Sequence, residues 1–333
     1  LTSPRPVLAC LSAYDDALVR ELAGTAEPEI RIASGGGDRD ELRDLVSDAD
    51  IVIADAARRY LLDRTAISAM TRCRFIQQPA AGYDSIDVEQ AAAQGIPVAN
   101  TPGRNAPAVA DWVIMATLNL LRDGVAAHNA MRAGIPYAAE LRTELGELTV
   151  GLVGMGAVAR AVTARLSGFG SRVHYTTRRG VDVPGAHAVP LDRLLAESDV
   201  ISLHLPLTAA TRHSFGAAEF ARMKPGAILV NSARGGLIDT AALVAGLRAG
   251  RPAAAALDVF ESEPLDPRSP LRGLDNVYLS PHIGANSQQS RVRVRQAVAE
   301  NLRRVLAGQA PRDVVNESYR AADQSSATAA VQD

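Results

Sequence analysis

The chain has 333 residues, 47% hydrophobic and 22% charged, with 35 Lys and Arg against 37 Asp and Glu for a formal net charge of -2. That length suits two domains, each with its own core, and the near-neutral balance leaves no footprint for nucleic acid or an anionic membrane surface. No apolar run reaches the roughly 18 residues of a membrane span, and the opening Leu1-Thr-Ser-Pro-Arg does not read as a secretory leader. Cys10 and Cys73 lie in apolar, strand-like segments without metal-ligand spacing. They read as buried structural thiols, which fits a reducing, cytoplasmic setting.

Short apolar runs alternate with amphipathic stretches along most of the chain, the pattern of parallel α/β layering. Strands are expected first at residues 7–11, 30–33, 51–54, 74–77 and 98–100, with helices among them at 17–23, 41–47 and 87–94. Two further helices are expected at 106–121 and 124–133. A second strand series follows at 149–154, 172–175, 200–204, 227–231, 254–258 and 277–279, and a last helix at 287–306. Ser47-Asp-Ala-Asp-Ile-Val-Ile-Ala and Ser198-Asp-Val-Ile-Ser-Leu-His both read as a helix end passing through acidic residues into a buried strand. They mark either two related doubly wound units or convergence on a common junction. Beyond Glu317 the chain is rich in Ser, Ala and Gln, so residues 317–333 are expected to form a disordered tail.

The most informative local motif is Thr149-Val-Gly-Leu-Val-Gly-Met-Gly-Ala-Val-Ala-Arg. A strand runs into a glycine turn and then a helical pattern, the context a dinucleotide fingerprint requires. Gly154 permits the turn, Gly156 lets the backbone approach a pyrophosphate, and the small Ala159 brings the helix close to the sheet. The helix N-terminus then presents N–H groups to the anion. The end of the following strand discriminates between cofactors. An NAD site places Asp or Glu there for the ribose hydroxyls, but this chain reads His174-Tyr-Thr-Thr-Arg178-Arg179-Gly. Thr177, Arg178 and Arg179 suit a 2′-phosphate, because Arg binds phosphate bidentately. NADP(H) is expected ahead of NAD(H), the alternative being a solvated basic turn.

Three segments then supply chemistry in order: Asn231-Ser-Ala-Arg234-Gly-Gly, Asp258-Val-Phe-Glu261-Ser-Glu263-Pro, and Ser280-Pro-His282-Ile-Gly284. Each follows a strand, where open α/β sheets bind ligands. Reducing a keto acid needs a cation to hold the carboxylate and polarise the carbonyl, which the Arg fork does. It needs a proton donor working near neutral pH, which His supplies. A carboxylate beside that His orients it and stabilises the imidazolium. Hydride would come from the nicotinamide.

Together with Leu203-His-Leu-Pro-Leu-Thr and Gly95-Ile-Pro-Val-Ala-Asn-Thr-Pro-Gly, these segments resemble the D-isomer-specific 2-hydroxyacid dehydrogenase family over about residues 7–316. The resemblance implies two Rossmann-like doubly wound α/β domains with a cleft between: a flavodoxin-like substrate domain of residues 1–103 and 288–316, and an NAD(P)-binding domain of residues 104–287. It implies that Arg234 binds substrate, that Glu263 is the acid paired with His rather than Glu261, and that His282 is the general acid/base. Around the cofactor it implies Gly154, Gly156, Ala157 and Val158, then Pro206 and Thr208 near the pyrophosphate. Ala233, Asp258, His282 and Gly284 complete that set, with Asp258 at the carboxamide. Backbone N–H groups of a loop matching Ala80, Ala81 and Gly82 would grip the substrate carboxylate. Pro79-Ala80 departs from the usual pattern there, which leaves the side-chain pocket open. The cofactor stretch is similar to that of NADPH-using glyoxylate/hydroxypyruvate reductases. A small 2-keto or 2-hydroxy acid is the implied partner, in a homodimer, with no metal.

Among the other histidines, His204 reads as a satisfied core residue or a cofactor neighbour, and His128, His174, His187 and His213 as surface or structural. Trp112 reads as packing, and Arg58 and Arg59 as a solvated pair that would otherwise meet a second substrate anion. A related formate dehydrogenase would carry Gln in place of Glu263. A phosphite oxidoreductase shares the Arg, Glu and His, and a nicotinamide-sensing co-repressor shares the scaffold but needs no turnover.

Overall fold

Two parallel sheets organise the computed structural model, which describes residues 5–138, 141–178 and 180–320. The first has five strands in the order β2-β1-β3-β4-β5: β1 Val7–Cys10, β2 Glu29–Ile32, β3 Ile51–Ile53, β4 Phe75–Gln77 and β5 Val98–Ala99. Its connections carry α1 (Asp16–Ala23), α2 (Arg39–Val46), α3 (Arg64–Ser68) and α4 (Val88–Ala93). Strand side chains alternate between the two faces. Leu8, Cys10, Ile51, Ile53 and Phe75 pack with Val19 of α1 and with the C-terminal helix. Ala9, Val52 and Ile76 pack on the opposite side with Leu42, Val46 and Ile67.

The second sheet has seven strands in the order β12-β11-β10-β9-β6-β7-β8. They are β6 Thr149–Val153, β7 Arg172–Thr176, β8 His187–Ala188, β9 Val200–Leu203, β10 Ile228–Asn231, β11 Ala254–Leu257 and β12 Val277–Leu279. Helices α5 (Ala106–Arg122) and α7 (Ala157–Phe169) cover one face, while α8 (Leu191–Glu197), α9 (Ala217–Arg222) and α10 (Thr240–Arg248) cover the other. Helix α6 (Gly124–Ala133) follows α5 and has no buried residue. Edge strand β8, two exposed residues paired with β7, carries no apolar signal and is absent from the sequence reading.

The chain divides into two compact units, Leu1–Asn105 with Gln288–Asp333 and Ala106–Ser287. The last helix, α11 (Gln288–Leu306), returns to the first unit, where Val298 and Leu302 are fully buried. Behind it Val98 N–H donates to Asn316 Oδ1 at 2.8 Å and Val315 N–H to Val98 O at 2.8 Å, sealing the β5 edge. Residues 317–318 form a turn leading into helical residues 319–320, Tyr319 N–H donating to Asn316 O, and the rest of the expected tail lies outside the described residues. No helix among the described residues is long and apolar enough to cross a membrane.

Both cysteines are unpaired thiols pushed up to about 12 by burial. Cys73 as a whole is half-buried rather than fully enclosed. Arg58 and Arg59 lie at the surface, as expected, but each is ion-paired. Arg59 grips buried Asp55 through Nε at 3.0 Å and Nη2 at 3.1 Å, and Arg58 pairs with Asp84 at 2.9 Å. A carboxylate within reach of each guanidinium satisfies it internally.

Candidate active site

In the second unit the candidate residues all follow the C-terminal ends of strands in one parallel sheet. Gly154 ends β6 with φ of 97°, and a Cβ there would lie 2.6 Å from His204 O. Only glycine combines that conformation with that approach. Gly156 is the N-cap of α7, no side chain caps the helix, and an added Cβ would meet nothing within 4 Å. The first turn, Ala157 and Val158, therefore carries N–H donors facing open space. Past β7, Thr177 and Arg178 are exposed, and Arg179 lies outside the described residues. Past β9, Thr211 Oγ1 donates to Pro206 O at 2.7 Å and accepts from Thr208 N–H at 2.8 Å, fixing the Pro206–Thr208 turn.

Beyond β10, buried Asn231 clamps the next turn. Its Oδ1 accepts from Ala233 N–H at 3.0 Å and its Nδ2 donates to Arg234 O at 2.9 Å. Arg234 Nη1 donates to Ala233 O at 2.7 Å. Gly235 lets this turn touch the next loop, since a Cβ there would sit 1.9 Å from the Phe260 carbonyl carbon. That loop, beyond β11, carries both acids. Glu263 Oε1 accepts from Phe260 N–H at 3.0 Å, and its Oε2 lies 2.7 Å from His282 Nδ1. Glu261 instead meets His213 Nε2 at 2.5 Å and takes Thr240 N–H, bonds that hold its carboxyl below the usual range against the opposing effect of burial.

His282 sits beyond β12 with φ of 55°, its side chain 37% exposed. Glu263 accepting from Nδ1–H leaves Nε2 as the outward nitrogen. Asp258, 1% exposed, accepts from Ser280 Oγ at 2.5 Å and Ile283 N–H at 2.9 Å on Oδ1, and from Gly284 N–H at 2.7 Å on Oδ2. The carboxylate expected at a carboxamide thus also organises the histidine loop. His204 is not a satisfied core residue: its Nε2 is buried without a partner, and burial pushes the ring down to about 4. Ser232 Oγ, next to Ala233, is likewise buried and unpartnered.

An uncapped helix start behind a glycine turn, with orphaned polar atoms at the ends of β9 and β10, fits a dinucleotide. Among the described residues no group of three His, Cys, Asp or Glu could hold a metal ion.

In the first unit the loop after β4 is held by its carbonyls. Ala80 O accepts from Thr101 N–H at 3.1 Å, Ala81 O from Asn100 Nδ2 at 2.7 Å and Gly82 O from Gln78 Nε2 at 2.9 Å. A trans peptide points its N–H opposite its C=O, so the amides of Ala81, Gly82 and Tyr83 turn away from those partners. They can donate together to an anion.

An α/β dinucleotide-binding unit with a paired Glu and His one strand from an Arg defines a nicotinamide oxidoreductase. Residues 114–284 match the model of the D-isomer specific 2-hydroxyacid dehydrogenase NAD-binding domain. The chain is 41% identical over 280 residues to a glyoxylate reductase of Aeropyrum pernix, covering 79% of this chain and 83% of that protein. Its fold is similar to the crystal structure of a glyoxylate reductase from Paecilomyes thermophila, with a TM-score of 0.87, 32% identity and coverage of 95% and 99%. It is also similar to an NADPH-dependent glyoxylate/hydroxypyruvate reductase from Sinorhizobium meliloti, in complex with NADP and malonate, with a TM-score of 0.83, 28% identity and coverage of 95% and 98%. The chain belongs to the D-isomer specific 2-hydroxyacid dehydrogenase family, and it is an NAD(P)-dependent oxidoreductase of small 2-hydroxy and 2-keto acids.

Proposed function

We propose that this enzyme works as an NADPH-preferring reductase of a small 2-keto acid, with glyoxylate and hydroxypyruvate the first candidates. The observation that carries the reading is the 2.7 Å bond between His282 Nδ1 and Glu263 in the unit that holds Arg234. Arg234 binds the carboxylate and polarises the keto oxygen. His282 delivers a proton from Nε2 to that oxygen, and Glu263 fixes the tautomer and stabilises the charged ring. When bound, the nicotinamide supplies hydride to the keto carbon.

The second unit acts as the cofactor domain and the first as the substrate domain, whose Ala80–Gly82 loop offers N–H donors to a carboxylate. NADPH preference is supported by Thr177 and Arg178 at the end of β7, where no acid stands to hold a ribose hydroxyl. The similar reductase crystallised with NADP points the same way. A homodimer is supported by exposed Met115, Val125, Met131, Ile135 and Leu141, an apolar concentration on and after α5 and α6. The two unpaired thiols suit the cytoplasm.

The test is NADPH and NADH oxidation against a panel of 2-keto acids, repeated with Arg178→Ala. Turnover on a panel member with NADPH preferred, and a preference that shrinks in the variant, is the expected result. NADH preferred by the unaltered enzyme would overturn the cofactor assignment, and no turnover on any keto acid would overturn the reductase reading.

A further inference from the structure

Trp112 lies on α5, 168 residues from the histidine loop, yet its indole Nε1–H donates to Ser280 Oγ at 3.0 Å. Ser280 Oγ lies in turn 2.5 Å from Asp258 Oδ1. An indole N–H only donates, and a serine hydroxyl has one proton. The direction is therefore forced: Trp112 donates to Ser280, and Ser280 donates to Asp258. From Asp258 the chain spreads into the loop, to the N–H groups of Ile283 and Gly284 through the carboxylate and to His282 N–H through the backbone oxygen at 2.8 Å. All three members are buried, Trp112 and Ser280 at 6% exposure and Asp258 at 1%. Hydrogen bonds in such surroundings are strong and polarise one another.

The loop needs this support. His282 has φ of 55°, a left-handed conformation that an L residue keeps only when its neighbours over-determine it. The indole is also the wall behind the turn. A Cβ on Gly284 would meet Asp258 Oδ2 at 2.8 Å and Trp112 Cγ at 3.5 Å.

We propose that Trp112 and Ser280 are positioning residues for His282, acting through Asp258 to hold the left-handed turn that presents its imidazole to Glu263. The proposal rests on the reading of His282 as proton donor. A residue that served packing alone would be replaceable by any ring of similar bulk. One that positions through its N–H would not be.

The variants that separate the two are Trp112→Phe, which keeps an aromatic wall without the donor, Ser280→Ala, which removes the hydroxyl, and Ser280→Thr, which retains it. Trp112→Phe and Ser280→Ala are each expected to lower kcat about tenfold, the rate equivalent of one buried hydrogen bond. KM for the keto acid and Kd for NADPH should stay within about twofold, because the loss falls on the transition state. The double variant should be no slower than the slower single, since both break one chain. Ser280→Thr should recover most of kcat. A readout independent of turnover is the His282 Nδ1–H proton resonance in cofactor-free protein. It should broaden in Trp112→Phe and Ser280→Ala and persist in Ser280→Thr. If Ser280→Ala does not fold, Trp112→Phe carries both measurements.

Unchanged kcat and resonance in Trp112→Phe, or additive losses in the double variant, would overturn the relay. His282→Ala separates the two levels. An inactive His282→Ala beside a fully active Trp112→Phe sinks the relay alone, and an active His282→Ala sinks the proton-donor reading beneath it.

Discussion

In the first unit, Asp50 accepts from Val7 N–H at 2.7 Å and returns its own N–H to Val7 O at 2.8 Å. In the second, Asp199 makes the same pair with Thr149, at 2.9 and 2.8 Å. Each aspartate leads into the strand beside the first strand of its sheet and pins the start of that neighbour. The units part company at their helix starts. Helices α1 to α4 begin behind Asp15, Asp38, Asp63 and Asp87, and each carboxylate accepts the N–H three residues on. Helix α7 begins behind Gly156, with no side-chain cap. A capping carboxylate both fills a donor and repels an anion. The second unit leaves uncapped the helix that follows its first strand, where the first unit caps the helix that follows its own. An uncapped helix start of this kind suits an anion.

The asymmetry is greatest in catalysis, because the second unit alone carries the Glu263–His282 pair. His282→Ala should lower kcat/KM by about 10²–10⁴, the usual contribution of a general acid, with NADPH affinity kept. Steady-state kinetics with parallel cofactor titration checks this, and a loss confined to KM would count against it.

The next effect concerns the residue after the pinned strand, Ala54 in the first unit and His204 in the second. Burial holds His204 down to about 4 against its ordinary 6.5. The unfolded chain binds a proton that the folded chain refuses, so stability present above pH 6.5 is lost as pH falls toward 4. A gap of that size is worth roughly 3 kcal/mol. His204→Leu should flatten the fall of Tm across that window, and an unaltered slope would show that the ring is not buried neutral.

Making the helix starts alike should erase the difference in ligand binding. Gly156→Asp gives α7 the cap that α1 has, in a backbone region any residue adopts, with φ of -82°. NADPH Kd should rise about tenfold or more, from charge repulsion and a filled donor at the helix start, while Tm holds or increases. Calorimetric titration beside thermal melting separates the two.

The reverse change is the smallest. Asp15→Ala removes a bond of 2.8 Å to Leu18 N–H and should cost about 1 kcal/mol of stability. Its kinetic constants should not move.

The alternating strands and helices and the glycine turn were legible because they are local. Period and turn chemistry repeat within a few residues, and strand ends shifted by only a residue or so, as at β1 and β10. The Ser-Asp junction was legible as a repeat, but its purpose was not: the bonds of Asp50 to Val7 and Asp199 to Thr149 span 43 and 50 residues. The exposure of Arg58 and Arg59 is legible, but nothing local reveals that Asp55 is buried beneath one and Asp84 lies beside the other.

By itself the sequence determined the two-unit α/β plan, the dinucleotide turn and the ordered Arg, Glu and His. Each rests on short-range periodicity or on side-chain chemistry that stays the same in any fold. Only tertiary structure decided that Glu261 meets His213, that His204 is left unpartnered, and that Trp112 and Ser280 join through Asp258. Those are contacts between chain segments far apart in sequence, set by sheet order and by the packing of α5 on its face, which no local pattern encodes.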